Sequence, residues 1–316
     1  MRTILLAVDG TQRGLETVSI LGRLLKSQQD LRIVLFHCVQ QIATLLPGEI
    51  CRDVEESCKL SLQDQERVGR AVLDASLSKL RDAGFPEANV DTRLKLDSLD
   101  PAADIIDQAD AERIHTIVVG RRGRSQVEAL LIGSISGKVA QYARDKAVWI
   151  VDTPVNDSMK TLIAMEGLPE VRALSYYTAE LFGACPGMTY TFLHVIPPIP
   201  PTFWDDGHIL SPAEQKERQD RIEKWRAEWT DTVSLYMSEG RDLLMERGVS
   251  DQSVETLILN AKEGIARDLL NEIEVHKFQV VVMGKRSFHE RKPFLMGSHA
   301  AKLLQNTRRV ILCMVG

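Results

Sequence analysis

Short hydrophobic runs alternate along the first half of the chain with longer segments in which hydrophobic residues recur at helical spacing. The runs are rich in β-branched residues and have the length of buried strands, whereas the longer segments are amphipathic. The predicted strands are Thr3–Val8, Leu31–Val39, Val90–Leu96, Thr116–Gly120 and Ala147–Val151. The predicted helices are Leu15–Lys26, Ile50–Ala83, a helix that begins at Asp100-Pro101, and Gly137–Asp145. This alternation predicts an α/β fold with a parallel sheet covered by helices on both faces.

The same pattern occurs a second time in the chain. The corresponding segments are Ile4–Gly10 and Thr161–Gly167, Leu35–Cys38 and Phe192–Val195, Gly120 and Gly284, and Gly133 and Gly297. From Gly120 onward the offset between the two copies is constant at 164 residues. A repeat of this length is a duplicated domain and not a solenoid. We therefore predict two tandem domains, residues 1–153 and 159–316, joined near Asp152–Ser158.

The stretch from Gly120 to Ser136 joins a predicted strand to a predicted helix and has the composition of a phosphate-binding loop. Its glycines let a ligand approach the backbone, and Gly133 would leave free N–H groups at the start of a helix, a terminus that favours anions. Ser134 and Ser136 would add hydroxyl donors, and Arg121 would place positive charge over the loop. The alternative is a connection whose glycines serve only turns. Neither the dinucleotide fingerprint nor the P-loop motif is present.

Composition limits what such a loop can bind. The 316 residues carry a net charge of −5, with 44% hydrophobic and 26% charged residues. This is the balance of a globular protein without a basic footprint, so we expect a small anion and no nucleic acid as ligand. No hydrophobic run has the length of a membrane span, and the N-terminus lacks a signal-peptide pattern, so we expect no membrane contact and a cytoplasmic location. The five cysteines lack CxxC spacing and are expected to be reduced.

Several of these residues together carry a family resemblance. Gly120, Gly123 and Gly133-Ser134 occur in order, Val8-Asp9 ends the first strand, and His37-Cys38 ends the second. In this combination the chain resembles the universal stress proteins, and more narrowly their tandem two-domain members. The resemblance implies a five-stranded Rossmann- or flavodoxin-like sheet of the adenine-nucleotide α-hydrolase-like type in each half. It also implies that the protein binds ATP, or AMP or ADP, with Mg²⁺ carried by the nucleotide.

The resemblance further implies roles for individual residues of the first half. Asp9 would meet the adenosine part of the ligand next to Val8, and the backbone around Cys38 would border the adenine. The ribose and phosphate approach would be lined by Val119, Gly120, Arg121 and Gly123, and the phosphates would be held by Gly133, Ser134, Ile135 and Ser136. General physical chemistry agrees, because a carboxylate suits a sugar hydroxyl and a helix N-terminus suits phosphate. Taken alone, an acidic residue at a strand end such as Asp9 more often caps a helix.

The second half departs from this pattern at three positions. Glu166 stands in place of Asp9, Ser287 in place of Gly123, and His299 in place of Ile135. The first change lengthens a side chain, and the second puts a Cβ where the ligand would approach. We therefore expect the second domain to bind nucleotide weakly or not at all.

Three functions stay open at this point. The first is a nucleotide-binding regulatory protein of the stress response. The second is a scaffold with a vestigial site, which would bind an unknown protein through a Pro-rich loop with Trp204 and a helix with Trp225 and Trp229. The third is a slow ATPase, since the Arg-rich loop lacks the carboxylates of an efficient phosphoryl-transfer enzyme and no catalytic residue can be named.

Single-domain members of the family pair as two chains, so the two halves here are expected to pair with each other. This intramolecular pseudo-dimer would form through the final strands, Ala147–Val151 and Val310–Met314. The sequence leaves a further homodimer open.

Overall fold

The computed structural model describes residues 2–40, 61–121, 132–165, 168–198, 211–285 and 296–316, and these form ten strands and eight α-helices. The first half contains, in order, β1 Arg2–Ala7, α1 Gln12–Leu25, β2 Leu31–Gln40, α2 Leu62–Asp82, β3 Val90–Ser98, α3 Pro101–Ala111, β4 Thr116–Gly120, α4 Ser134–Tyr142 and β5 Ala147–Val151. The second half contains β6 Lys160–Ala164, α5 Leu168–Phe182, β7 Thr189–Ile196, α6 Pro212–Glu246, β8 Val254–Asn260, α7 Ile265–Val275, β9 Val280–Gly284, α8 Ser298–Asn306 and β10 Ile311–Val315.

The ten strands form one sheet in the order β3-β2-β1-β4-β5-β10-β9-β6-β7-β8. Within each half every pair of neighbouring strands is parallel. The predicted α/β fold with two parallel five-stranded units is therefore confirmed. Because a parallel strand needs a crossover connection, the helices fall on both faces of the sheet.

The two halves meet where β5 pairs with β10 in antiparallel register, with Ile311 opposite Val151 and Met314 opposite Val148. We call this strand pair, together with the side chains that cross it, the seam. The expected pairing of the two final strands is confirmed. A single sheet thus runs through both halves, and the strand direction reverses at the seam.

One hydrophobic layer lies on each face of the sheet, and both layers continue across the seam. The first packs against α1, α2, α5 and α6, and the second against α3, α4, α7 and α8. In β5 the side chains alternate between the faces, so that Trp149 joins the first layer and Ile150 the second. Trp149 is fully buried and stacks on Phe182 of the other half, with the ring centroids 5.1 Å apart.

Helix boundaries agree with the sequence where a side chain caps the helix. Ser211 and Glu214 form the predicted capping box at the start of α6, and Asp100 caps α3 by accepting a hydrogen bond from the Ala102 amide. One predicted helix, Ile50–Ala83, is not continuous. Ser61 has an extended backbone, and its side chain caps α2 by accepting from the Asp64 amide, while residues 50–60 lie outside the described part. The fourth helix begins at Ser134, directly after Gly133 as the loop motif predicted, and so three residues before the stretch with helical spacing, Gly137–Asp145.

Candidate functional site

The strands β1 and β4 lie side by side in the middle of the first five-stranded unit, with Leu6 opposite Val118. The helix after β1 covers one face of the sheet and the helix after β4 covers the other. The segments that follow β1 and β4 therefore separate at the carboxyl ends of these strands and leave a crevice between them. In open α/β sheets this switch point is where ligands bind.

Asp9 follows the last residue of β1 by two positions and so lies on the β1 side of the crevice. Its Oδ1 accepts hydrogen bonds from the Thr11 amide at 2.9 Å and from the Thr11 hydroxyl at 2.8 Å. Thr11 in turn caps α1 by accepting from the Gly14 amide at 3.0 Å. Asp9 thus has the helix-start role that was the alternative interpretation, and this role fixes the position of its carboxylate at the crevice.

The N-terminus of α4 forms the β4 side of the crevice. Its N-cap residue is Gly133, and no side chain of the described residues caps the helix. The Gly133 amide donates to the Arg121 carbonyl at 2.9 Å, which holds the helix start against the end of β4. A helix start without a side-chain cap leaves its first N–H groups for water or an anion. Ser134 and Ile135 lie in this first turn, and Ile135 also packs on the second hydrophobic layer.

The Ser136 hydroxyl does not have its predicted role. The side chain is buried, and its Oγ donates to the Gly120 carbonyl at 2.6 Å. Because a serine hydroxyl has one proton, this bond uses the donor that a phosphate would need. Ser136 therefore fastens α4 to β4, and only its backbone N–H belongs to the helix terminus.

Arg121 also differs from the prediction that its side chain would place positive charge over the loop. Its side chain is 1% exposed and crosses the seam, where Nη2 donates to the Gln305 carbonyl in α8 at 2.7 Å. It therefore places no free positive charge over the loop. Lys285 is the corresponding residue of the second half, and its ammonium group donates to the Ala143 carbonyl at the end of α4. Each half thus sends a cation to the carbonyls at the C-terminus of the other half's last helix, which is electrostatically favourable.

Val8 and Cys38 lie at neighbouring strand ends. The buried Val8 donates its amide to the Phe36 carbonyl at 2.9 Å, and Cys38 is half-buried at the end of β2. Burial and the nearby Asp104 carboxylate raise the pKa of the Cys38 thiol to about 12, although a Ser98 hydrogen bond and Lys95 act in the opposite direction. The thiol is therefore neutral and apolar in character at physiological pH. This character suits contact with a planar base.

His37 is a residue whose position the sequence reasoning noted but to which it gave no role. It is buried, and its Nδ1–H donates to the Val8 carbonyl at 2.6 Å. The second half repeats the bond between His194 and the Met165 carbonyl at 3.0 Å. The sequence signal for this role was the histidine that occurs near the end of the second strand in both halves. In both halves this ring holds the backbone that precedes the crevice.

The remaining predicted site residues lie at the end of β4 or outside the described residues. Val119 is buried in β4, and Gly120 ends that strand at the crevice. Gly123 lies outside the described residues, as do Glu166 and Ser287 of the second half. The second crossing otherwise repeats the first, because Gly297 is the N-cap of α8 and its amide donates to the Lys285 carbonyl at 3.2 Å.

In the part of the chain that the structure describes, no helix is long and apolar enough to span a membrane. In the same residues, no three His, Cys, Asp or Glu side chains are grouped so that they could hold a metal ion.

The fold and the crevice define a tandem α/β protein in which each half has an uncapped strand-to-helix crossing. The sequence pattern of the Universal stress protein family matches residues 1–151 and again residues 158–313. The chain therefore belongs to the universal stress protein family, as a member with two copies of the family unit.

Solved structures agree with this fold over the whole chain. A universal stress protein from Archaeoglobus fulgidus is 18% identical, covers 99% of this chain and 98% of its own, and has a TM-score of 0.61. A functionally unknown protein from Pseudomonas aeruginosa is 17% identical, covers 100% of this chain and 92% of its own, and has a TM-score of 0.59. At these identities the likeness concerns the fold alone. No curated protein matches the sequence.

Proposed function

We propose that the first domain, residues 1–153, binds an adenine nucleotide, with ATP as the principal ligand and AMP or ADP as related ones, and that the protein acts in the stress response through this binding. The observation that carries the proposal is the uncapped N-terminus of α4 beside Gly120, at the crevice between β1 and β4. Backbone N–H groups and the helix dipole together make such a terminus an anion site.

The proposed ligand would lie across the crevice. Its phosphates would accept hydrogen bonds from the first turn of α4, at Gly133 to Ser136, and would carry their own Mg²⁺. The ribose hydroxyls would face the carboxylate of Asp9, which its bonds to Thr11 hold in place. The adenine would border Val8 and Cys38, where the neutral thiol and the strand ends offer an apolar edge.

We propose that the second domain, residues 159–316, binds nucleotide weakly or not at all. Besides the substitutions in its sequence, Trp229 of α6 lies against the end of β7. The Trp229 indole donates Nε1–H to His194 Nε2 at 3.1 Å, and the two rings stack. Val195, which an adenine placed as in the first half would border, belongs to the second hydrophobic layer, whereas Trp229 packs on the first. The proposal of weak binding therefore rests on the substitutions in the sequence.

Replacement of Gly133 by Asp tests the proposal. Gly133 has φ −67° and ψ 150°, a conformation open to any residue, and Asp is among the best N-cap residues. The variant should therefore fold while its carboxylate takes the place of the phosphate. We expect ATP affinity, measured by calorimetry in Mg²⁺ buffer, to fall at least about a hundredfold, as two lost charge-assisted hydrogen bonds would cause.

The matched control is Gly297→Asp, the same change at the start of α8. We expect it to leave the affinity and a stoichiometry of one ATP per chain unchanged. Near-normal binding by Gly133→Asp would contradict the proposed site. A loss in Gly297→Asp alone would move the site to the second domain.

A specific feature also favours the scaffold function. The helix α6 has 35 residues, yet its buried residues begin only at Val233. In its first five turns most residues are exposed, and a stripe of half-buried side chains follows one face, namely Arg218, Ile222, Trp225 and Trp229. The Trp225 and Trp229 rings are tilted against each other with centroids 5.2 Å apart. A protein partner would find an accessible helix there. Loss of partner capture after removal of this exposed segment, with ATP binding retained, would support the second function.

A further inference from the structure

A small cavity of about 150 Å³ lies at the seam, on the side of the first domain's strand ends. Four arginines line it, Arg13 of α1, Arg121 after β4, and Arg308 and Arg309 before β10, against a single carboxylate, Asp152. We call this cavity the arginine pocket. In a protein with a net charge of −5 it is a local concentration of positive charge.

Cations from both halves build the pocket. Arg308 donates Nη1–H to the Gln305 and Thr307 carbonyls, each at 2.8 Å, which fixes the position of its guanidinium. Arg13 and Arg309 form no ion pair with a carboxylate of the described residues. Guanidinium groups that are held in place without a carboxylate partner are the usual receptors for phosphate oxygens.

Arg309 lies in a tight turn and has the left-handed backbone that Arg113 (φ 54°) and Lys277 (φ 53°) also adopt. Its φ is 59°, in the left-handed region that costs energy for a residue with a long side chain. The turn is held by the Arg309 amide, which donates to Asp152 Oδ2 at 3.2 Å, and by the Asn156 amide, which donates to the Arg309 carbonyl at 2.7 Å. The same turn in the first half has Asp145 with φ 51°, a residue type that accepts this conformation more easily.

The duplication provides an internal comparison. The pseudo-symmetric position on the other side of the seam carries Glu170 in place of Arg13, Lys285 in place of Arg121, Arg144 in place of Arg308, and Asp145 in place of Arg309. Positive and negative residues are therefore balanced there. Arg121 and Arg308 correspond to cations, whereas Arg13 and Arg309 correspond to acidic residues. The positive charges of Arg13 and Arg309 are therefore not a requirement of the fold.

We propose that the arginine pocket binds a phosphate group. The volume of 150 Å³ is about half the smallest volume usual for a drug-sized ligand, which suits a phosphate and excludes a whole nucleotide. The phosphate belongs either to a separate phosphorylated ligand or to the far end of the phosphate chain of a nucleotide bound at the crevice, because Gly120 and Arg121 border both places. The proposal goes beyond the nucleotide site and does not depend on it.

The test uses inorganic tripolyphosphate as the probe, titrated by calorimetry into the full chain carrying Gly133→Asp, so that the start of α4 is blocked. Arg308→Gln together with Arg309→Asn removes two cations, and Asn accepts the left-handed backbone. We expect this change to weaken tripolyphosphate binding at least about tenfold, the effect of losing a charge-assisted hydrogen bond. Arg144→Gln is the matched control and should leave the affinity unchanged. Equal unfolding midpoints in urea confirm that the variants fold.

The outcomes separate the two proposals. Equal tripolyphosphate affinity with and without Arg308 and Arg309, or an equal loss in Arg144→Gln, overturns the arginine pocket whatever ATP does. A tripolyphosphate loss in the double variant supports the pocket even if wild-type protein binds no ATP. On the wild-type background, weaker ATP binding with unchanged AMP binding assigns the phosphate to the nucleotide chain. Unchanged ATP binding assigns it to a separate ligand.

Discussion

Single residues at the crevice have a role in the fold and, in our proposal, a second role toward a ligand. Asp9 shows this most clearly, because the carboxylate that orders the start of α1 through Thr11 is the group that would face a ribose. Ser136 shows the limit, since its hydroxyl proton is already donated to the Gly120 carbonyl. The sequence could predict which residue types gather at this edge. It could not show which side-chain hydrogen-bond donors already bond to other groups of the protein.

Cys38 gives a prediction at this scale. Its pKa of about 12, raised chiefly by burial, means that the thiolate fraction at pH 8 is about one in ten thousand and grows tenfold with each pH unit. Iodoacetamide reacts with the thiolate, so native Cys38 should remain unmodified at pH 8 and become reactive only as the pH rises toward 12. Peptide mapping by mass spectrometry measures this.

Two controls accompany the alkylation. In urea all five cysteines should react at pH 8, since the unfolded chain no longer buries them. Cys185, whose pKa burial raises to about 11, should be protected in the native protein as well. Alkylation of native Cys38 at pH 8 at the rate seen in urea would contradict the account of the strand end as a neutral, packed border.

At the scale of helices and strands, the sequence was informative wherever a local signal exists. The capping box at Ser211 fixed the start of α6, and the β-branched run fixed β4 at Thr116–Gly120. For α4 the helical spacing begins only at Gly137, and the glycine before Ser134 was the signal that indicated the true start. The role of the Arg121 side chain was predicted wrongly for a different reason. The carbonyl that it contacts belongs to Gln305 in the other half of the chain, and a local sequence pattern cannot show such a contact.

The seam gives a prediction at the element scale. The Tyr177 hydroxyl of α5 accepts the Nε1–H of the buried Trp149 at 2.6 Å and lies 3.1 Å from the Thr116 hydroxyl, so it joins two strands of the first half to the second. Tyr177→Phe leaves the indole N–H buried without this acceptor, and we expect the free energy of unfolding to fall by about 1–3 kcal/mol. Urea denaturation followed by circular dichroism measures the change.

The adjacent residue supplies the control for the seam. Tyr176 is 40% exposed, and its ring, which Phe retains, lies 5.2 Å from the Arg247 guanidinium carbon. Tyr176→Phe should change stability by less than about 0.5 kcal/mol, as surface substitutions usually do. If both variants unfold at the same urea concentration, the Tyr177 hydroxyl contributes nothing to the joining of the halves.

At the scale of the whole molecule, duplication produced two equal folds with unequal surfaces. The repeat in the sequence predicted two domains, and the family resemblance implied their pairing through the final strands, which are β5 and β10. The arginine pocket could not be predicted, because Arg13, Arg121 and Arg308 are far apart in the sequence and meet only across the seam. The second half also has Trp229 hydrogen-bonded to His194 near the end of β7.

The nucleotide content of freshly purified protein tests the central claim most directly. The protein is denatured, and the supernatant is separated by nucleotide chromatography against mass standards. We predict ATP, or its products ADP and AMP, near one equivalent per chain, because we propose that only the first domain binds nucleotide tightly. No nucleotide, together with no calorimetric binding of ATP in Mg²⁺ buffer, would contradict the claim and leave the glycines as residues of the fold alone.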